Sequence, residues 1–212
     1  MSNQLKLQNI VWLFFDIGST LVDEQIAYDH RIMDMITETN LTFAQVHAKR
    51  AELTQQGVDG NSAVITHYGL KKTPWHSEDE VLYADAKSVL KQLTSLGYHL
   101  GIIANQAPGV AKRLAVWGIA DYFTVVASSS EIGVAKPDPL IFEKALAMAG
   151  CAASQAVMIG DRLDNDIIPA KKAGMQTVWF RSGLAAFQTK ELSAEYADAI
   201  IDSLLELTSI FV

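Results

Sequence analysis

The chain has 212 residues, half of them apolar and 19% charged, and a net charge of −7. That balance supports a buried core and excludes a disordered chain, while the absence of clustered Lys and Arg argues against nucleic acid or anionic lipid as a partner. The cytoplasm is the expected compartment and no membrane is expected, because MSNQLKLQNI lacks a basic-then-apolar leader, no run of about 20 apolar residues occurs, and the single Cys151 allows no internal disulfide.

In chain order, residues 10–15 (IVWLFF) form an apolar run that stops at Asp16 and passes into Gly18, Ser19 and Thr20, as a buried strand ending in a polar loop does. From about Glu24 to Glu80 the apolar residues fall at helical spacing, Ile26, Met33 and Ile36, then Phe43, Val46 and Leu53. No β-rich run occurs there, and turn residues at 56–61 (QGVDGN) and 71–74 (KKTP) place helix breaks. Four helix-then-strand units follow: 84–96 before 98–104, 108–117 before 123–127, 139–149 before 156–159, and 164–173 before 176–180. Gly97, Gly118, Gly150 and Gly174 stand just past the four helix ends, where a left-handed residue closes a helix. Ile200 and Ile201 read as a short edge strand before a terminal helix from about Asp202. The pattern predicts an α/β fold with a parallel sheet, residues 1–23 and 81–212 forming its core and 24–80 a helical insert.

Ligands of an open parallel sheet collect outside the carboxyl ends of its strands. The residues expected there are Asp16 to Thr20, then Asn105, then Lys136 before Pro137, then the run GDRLDND at 160–166. They supply a carboxylate nucleophile, an amide, a cation and a carboxylate cluster. A carboxylate attacks phosphorus weakly, and attack by one anion on another needs nearby positive charge, so Asp16 requires a metal and a lysine beside it. Hard Mg²⁺ prefers oxygen, which Asp16, the Gly18 carbonyl and Asp161 can supply, with Asp166 holding a water or orienting its neighbours. Asp164 is equally suited to cap the following helix. His30, His47, His67, His76 and His99 lack metal-ligand spacing and are expected on the surface or on the insert face.

FFDIGSTLVDE, LGIIANQ, GVAKPDPLIFEKAL and MIGDRLDNDIIPAKKAG resemble, in order and spacing, the four motifs of the haloacid dehalogenase-like hydrolases. The chain is similar to members with a small helical cap inserted after the first motif, where residues 24–80 fall. The resemblance implies a Rossmann-like core, a mobile cap and an aspartyl-phosphate intermediate. It implies that Lys136 bridges nucleophile and phosphoryl group, while Asn105 and the loop after Asp16, Ser19 and Thr20 included, bind the phosphoryl oxygens. The implied function is Mg²⁺-dependent hydrolysis of a phosphorylated small molecule.

Two positions depart from that pattern. Phosphatases of the family usually carry a second Asp two residues after the nucleophile, and here Gly18 stands in its place. Loss of such an acid is worth ~10²–10⁴-fold. Ala104 occupies a site where Ser or Thr commonly binds phosphate. Asp23, Glu24, Asp29 and His30 are the candidates for a substitute acid, and Gly18→Asp is expected to speed cleavage of poor leaving groups. The alternative function is a catalytically weakened member that binds a phospho-ligand or a protein. A 2-haloacid dehalogenase or a phosphonatase ranks below it, since Asp161 and Asp166 are retained and nothing around Lys49 resembles a Schiff-base cap. Tyr28, Tyr68 and Trp75 are expected to pack the insert rather than line a cleft.

Overall fold

The computed structural model describes residue 7 and residues 9–188 and 196–211. Strand β1 (Trp12–Phe15) is followed by the two-residue β2 (Val22–Asp23), then by three helices, α1 (Gln25–Ile36), α2 (Phe43–Gln55) and α3 (Gly60–Tyr68). The chain returns through β3 (Val81–Leu82), α4 (Ala86–Ser95), β4 (His99–Ala104), α5 (Val110–Val116), β5 (Phe123–Ser128), α6 (Ser129–Ile132) and α7 (Pro139–Ala149). It ends with β6 (Ala156–Gly160), α8 (Ile168–Lys172), β7 (Gln176–Phe180), β8 (Ala199–Ile201) and α9 (Leu207–Ile210).

Six strands form one parallel sheet in the order β5-β4-β1-β6-β7-β8. Both faces are covered, which is why its strands read as continuous apolar runs. Alternate residues of β1 serve the two sides. Leu13 and Phe15 join Val89, Leu90 and Leu93 of α4 in one cluster, whereas Trp12 and Phe14 join Ile141 and Phe142 of α7 in the other. The four expected helix-closing glycines, at 97, 118, 150 and 174, all have positive φ. Among the described residues no helix is long and apolar enough to cross a membrane.

The three helices between β2 and β3 bury their own cluster, including Ile32, Met35, Ile36, Val46 and Val64. Helical spacing is legible in α1, but of Ile26, Met33 and Ile36 only Ile36 is buried. Ile26 and Met33 are 61% and 51% exposed, and Ala27, Ile32, Met35 and Ile36 face inward. Both expected breaks occur, the first where Asp59 caps α3 by accepting from the Asn61 and Ser62 amides. β2 and β3 pair antiparallel and carry the chain into and out of the helices; at two residues each, they leave no periodic trace.

The last helical unit differs from the reading at its start. Residues Leu163–Ile167 are wound as a π-turn before α8, and Asp164 makes no cap. Its carboxylate instead accepts from the Arg162 side chain at 3.1 and 2.7 Å. The wider turn coincides with the inward swing of Asp166, as such turns often do at functional sites. At the other end the terminal helix starts later than expected, because Ser203 caps a 3₁₀ turn, Leu204–Glu206, ahead of α9.

Candidate active site

From β1 the chain builds outward through β4 and β5, then returns to place β6 on the other side of β1. The carboxyl ends of β1, β4 and β6 therefore meet at the point where strand order reverses, the usual location of a ligand crevice. Asp16 leaves β1 there, Asn105 leaves β4 and Asp161 leaves β6, while Lys136 arrives on the loop between α6 and α7.

The Lys136 side chain is fully buried, and its Nζ donates to Asp16 Oδ1 at 2.7 Å and to Asp166 Oδ1 at 2.6 Å. Asn105 fixes the lysine's backbone from both sides: its Oδ1 accepts from Lys136 N–H at 2.8 Å and its Nδ2 donates to the Lys136 carbonyl at 2.9 Å. The Asn105 amide is thus engaged in holding the cation loop. Asp166 Oδ2 accepts from the Arg162 amide at 3.0 Å. Gly160 makes room for it, since a Cβ there would lie 2.6 Å from the Asp166 carboxyl carbon. Asp161 is held by Trp179 Nε1, which donates to its carbonyl at 2.7 Å, and by the buried Thr20 hydroxyl, 3.4 Å from its Oδ1. Thr20 therefore points at Asp161 rather than into the cleft. Ser19, at φ 53°, donates its hydroxyl to Glu24 at 3.2 Å and its carbonyl accepts from Ser182.

Carboxylate oxygens of Asp16, Asp161 and Asp166 lie within 4.8 Å of one another. Burial, then the charges of Asp166 and Asp16, raise the Asp161 pKa well above its ordinary value. Burial likewise raises Asp166 against the opposing pull of Lys136. For Lys136, burial favours the neutral amine, but Asp16 and Asp166 together outweigh it and raise the pKa. Three carboxylates against one ammonium leave excess negative charge at a site whose donors are all oxygen. Such a set fits a hard divalent cation.

A fourth carboxyl completes the floor. Glu24, the residue preceding α1, lies over Gly18 so closely that a Cβ built there would be 2.6 and 2.7 Å from its two oxygens. Burial first, then the charges of Asp16 and Glu80, push its pKa up to about 8. The other three candidate acids are placed differently. Asp23 accepts from the Gln25 amide, Asp29 from the Gln25 and Arg50 side chains, and His30 pairs with Asp79.

A cavity of about 200 Å³ stands on this floor, walled on the insert side by Tyr28, Arg50 and Asn61. Tyr28 does more than pack the insert as expected, although its ring also meets Trp75 edge-on at 4.7 Å. Among the described residues Arg50, 1% exposed, makes only long side-chain hydrogen bonds, 3.4 Å to Asp29 and 3.5 Å to Asn61, and its Nε has no partner. Arg162 pairs with Asp59 at 3.2 Å, and Gln188 donates to the Thr54 carbonyl at 3.3 Å, so two core residues hold the insert over the cleft. Sequence reasoning assigned no role to Arg50, Arg162 or Gln188. Arg162 lies inside a motif and was open to inspection, whereas a lone Arg in a helix and a lone Gln in a loop carry no signal.

A family model described as haloacid dehalogenase-like hydrolase matches residues 13–180. Among curated proteins the chain is 34% identical over 194 residues to a glyceraldehyde 3-phosphate phosphatase of Pyrococcus abyssi, covering 81% of each chain. It is 30% identical to the protein of the same name from Pyrococcus furiosus, covering 96% of this chain and 94% of that one. Among solved structures, a phosphatase from Thermococcus onnurineus superposes with a TM-score of 0.64 at 24% identity, over 95% of this chain and 97% of its own.

Proposed function

Since this chain belongs to the haloacid dehalogenase-like hydrolases, we propose that it is a Mg²⁺-dependent phosphatase of small phosphorylated metabolites, acting in the cytoplasm through an aspartyl-phosphate on Asp16. The names of its relatives support the reaction class, phosphate-ester hydrolysis. The observation that carries the assignment of roles is the buried Lys136 bonded to both Asp16 and Asp166 beneath a cavity that opens onto Asp16 and Asp161. On this reading residues 24–80 form the cap and residues 1–23 and 81–212 the core, with the boundaries at β2 and β3.

Asp16, Asp161, Asp166 and the Gly18 carbonyl are the proposed metal ligands. A bound divalent cation offsets the negative charge shared by nucleophile and phosphoryl group. The rest falls to the chain. Asp16 attacks phosphorus and the ester P–O bond breaks, while Lys136 supplies fixed positive charge beside the nucleophile. Asn105 keeps the lysine in place through its backbone, and Ser19 and Thr20 shape the loop that faces the phosphoryl oxygens. Glu24 takes the position left open by Gly18 and donates a proton to the departing oxygen. Water then attacks the aspartyl-phosphate and gives a proton to the Glu24 carboxylate, releasing phosphate and restoring both Asp16 and the Glu24 acid. The reading of a weakened, binding-only member rested on the acid missing at Gly18 and the hydroxyl missing at Ala104, and Glu24 supplies a carboxyl at the first of these places.

A panel of small phosphate esters, with glyceraldehyde 3-phosphate first, tests the proposal. Turnover is expected with Mg²⁺, is expected to vanish on chelation, and is expected to return when Mg²⁺ is restored. Failure to cleave any ester under these conditions would overturn it.

Glu24→Gln is expected to slow alkyl phosphates by ~10²–10⁴-fold and to spare esters of good leaving groups such as p-nitrophenyl phosphate, because only a poor leaving group needs the proton. The structure also revises the expected effect of Gly18→Asp. The new side chain would collide with the Glu24 carboxyl, so the single substitution should bring no gain. Gly18→Asp combined with Glu24→Ala should recover the rate that Glu24→Ala loses. Independent, additive effects in this double-mutant cycle would contradict a shared position.

A further inference from the structure

The insert wall of the cleft holds a cation for which phosphoryl transfer itself has no use. Arg50, on α2, faces the same cavity as Asp16 and Asp161. Its side chain is buried, and a guanidinium out of water needs partners for its five N–H groups and for its charge. Here the match is incomplete, because the bonds to Asp29 and Asn61 are long and Nε has no partner among the described residues. Neighbouring carboxylates are committed elsewhere. Asp29 accepts from Gln25 Nε2 at 2.7 Å, while Asp59 pairs with Arg162 at 3.2 Å and accepts from the Ser62 hydroxyl at 2.8 Å. A second cavity, of about 220 Å³, lies within the insert and shares Tyr28, Arg50 and Asn61 with the cleft. Its charged lining is basic, Arg31, Arg50, Lys72 and Arg162 against Asp59 alone. Arg50 thus stands where the two cavities adjoin, in positive surroundings within an acidic chain.

We infer, resting on the phosphatase reading above, that Arg50 sets the specificity of the cleft by selecting a small phosphate monoester with a carboxylate at the end away from the scissile phosphate. The planar guanidinium fork matches a carboxylate, and its burial makes such a pair costly to leave half-made. One negative charge suits the site. Arg162 is taken by Asp59 and Asp164, and Arg31 donates to the Thr73 carbonyl at 3.1 and 2.8 Å, so the unmatched guanidinium is that of Arg50. A second phosphate would bring more charge and more bulk to a cleft of about 200 Å³, already below the ~300 Å³ at which pockets for drug-sized ligands begin. Tyr28 supplies a neutral donor beside Arg50. Burial first, then the charges of Glu24 and Asp161, raise its pKa, so the hydroxyl keeps its proton and can donate to a substrate oxygen. The phosphoryl end is met by Lys136 on the core and the carboxylate end by Arg50 on the insert, so a substrate of this class is read by both parts of the chain at once.

Three esters on one carbon skeleton test the assignment in the full chain with Mg²⁺. The 3-phosphate esters of glycerate, glyceraldehyde and glycerol, in matching configuration, differ at the distal carbon, which is a carboxylate, an aldehyde or an alcohol, and all release a primary alcohol. Wild-type kcat/KM is expected to be highest for 3-phosphoglycerate and to exceed that for glycerol 3-phosphate by about 10²-fold or more. Arg50→Gln is expected to lower kcat/KM for 3-phosphoglycerate by about 10²–10³-fold, the scale of a buried charge pair deprived of one partner, chiefly through KM. Its effect on glycerol 3-phosphate should be about tenfold at most, so the preference collapses. Arg50→Lys should restore part of the preference, since it keeps the charge and loses the fork. A merely structural role for Arg50 would depress all three esters alike. Should Arg50→Gln fold poorly, the wild-type series decides by itself. Equal cleavage of the three esters by the wild type, or a preference unchanged in Arg50→Gln, would overturn the role of Arg50 and leave the phosphatase reading standing, whereas cleavage of none of them or of any other ester would overturn both.

Discussion

Replacing Asp16 by asparagine is expected to lower turnover on every phosphate ester by on the order of 10⁴-fold or more, the scale on which a covalent nucleophile matters, and to leave the fold intact. Asparagine keeps the volume of the side chain and removes its charge. Lys136 retains Asp166 at 2.6 Å, so the buried ammonium is not stranded. One of three crowded carboxylates is gone, which relieves part of the repulsion that, after burial, raises the Asp161 pKa. In chelator the variant should therefore unfold in urea no earlier than the wild type. Mass spectrometry of a rapidly quenched reaction should find a phosphoryl adduct on the wild type at Asp16 and none on the variant. Turnover within about tenfold of wild type would rule out Asp16 as nucleophile and leave direct attack by water.

Lys136→Met is expected to damage stability and catalysis together. Methionine fills the space of the lysine stem without its charge. The Lys136 side chain is fully buried between Asp16 and a fully buried Asp166, and removing one partner of a buried ion pair typically costs about 3–5 kcal/mol because the remaining charge stays desolvated. Urea unfolding in chelator should register a loss of that order. Mg²⁺ should return part of it, since a cation that binds only the folded cluster shifts the equilibrium toward the native state. Turnover should fall by at least about 10²–10³-fold, the usual loss when one fixed stabiliser of transition-state charge is removed. A variant as stable as wild type in chelator would mean that the carboxylates take up protons at no cost, and the electrostatic account of the site would fail.

Much of the fold could be read from local pattern. IVWLFF and the later runs that became β4, β6 and β7 are apolar at every buried position but Thr177 because both faces of the sheet are covered. Gly97, Gly118, Gly150 and Gly174 marked helix ends because a left-handed residue closes a helix wherever it sits. Ile26 and Met33 misled because spacing reports a helix but not which of its faces meets a partner. The capping role offered for Asp164 failed for a related reason: whether a carboxyl caps a helix depends on whether a better donor is near, and the Arg162 side chain is.

In the candidate site, strand ends followed by polar residues already pointed to Asp16, Asn105, Lys136 and Asp161, because a parallel sheet brings its carboxyl ends to one edge. The charge requirement of phosphoryl transfer suggested what each would do. By itself the sequence determined the parallel α/β core, the helical insert and the chemical character of the cleft, since these follow from periodicity and from residues adjacent to each strand. Only the tertiary structure decided that Asn105 clamps Lys136, that Thr20 turns toward Asp161, that Glu24 rather than Asp23, Asp29 or His30 lies over Gly18, and that Arg50 faces the cleft. Each of those depends on distances between segments remote in sequence, or on the direction of a side chain within one loop, and residue spacing records neither.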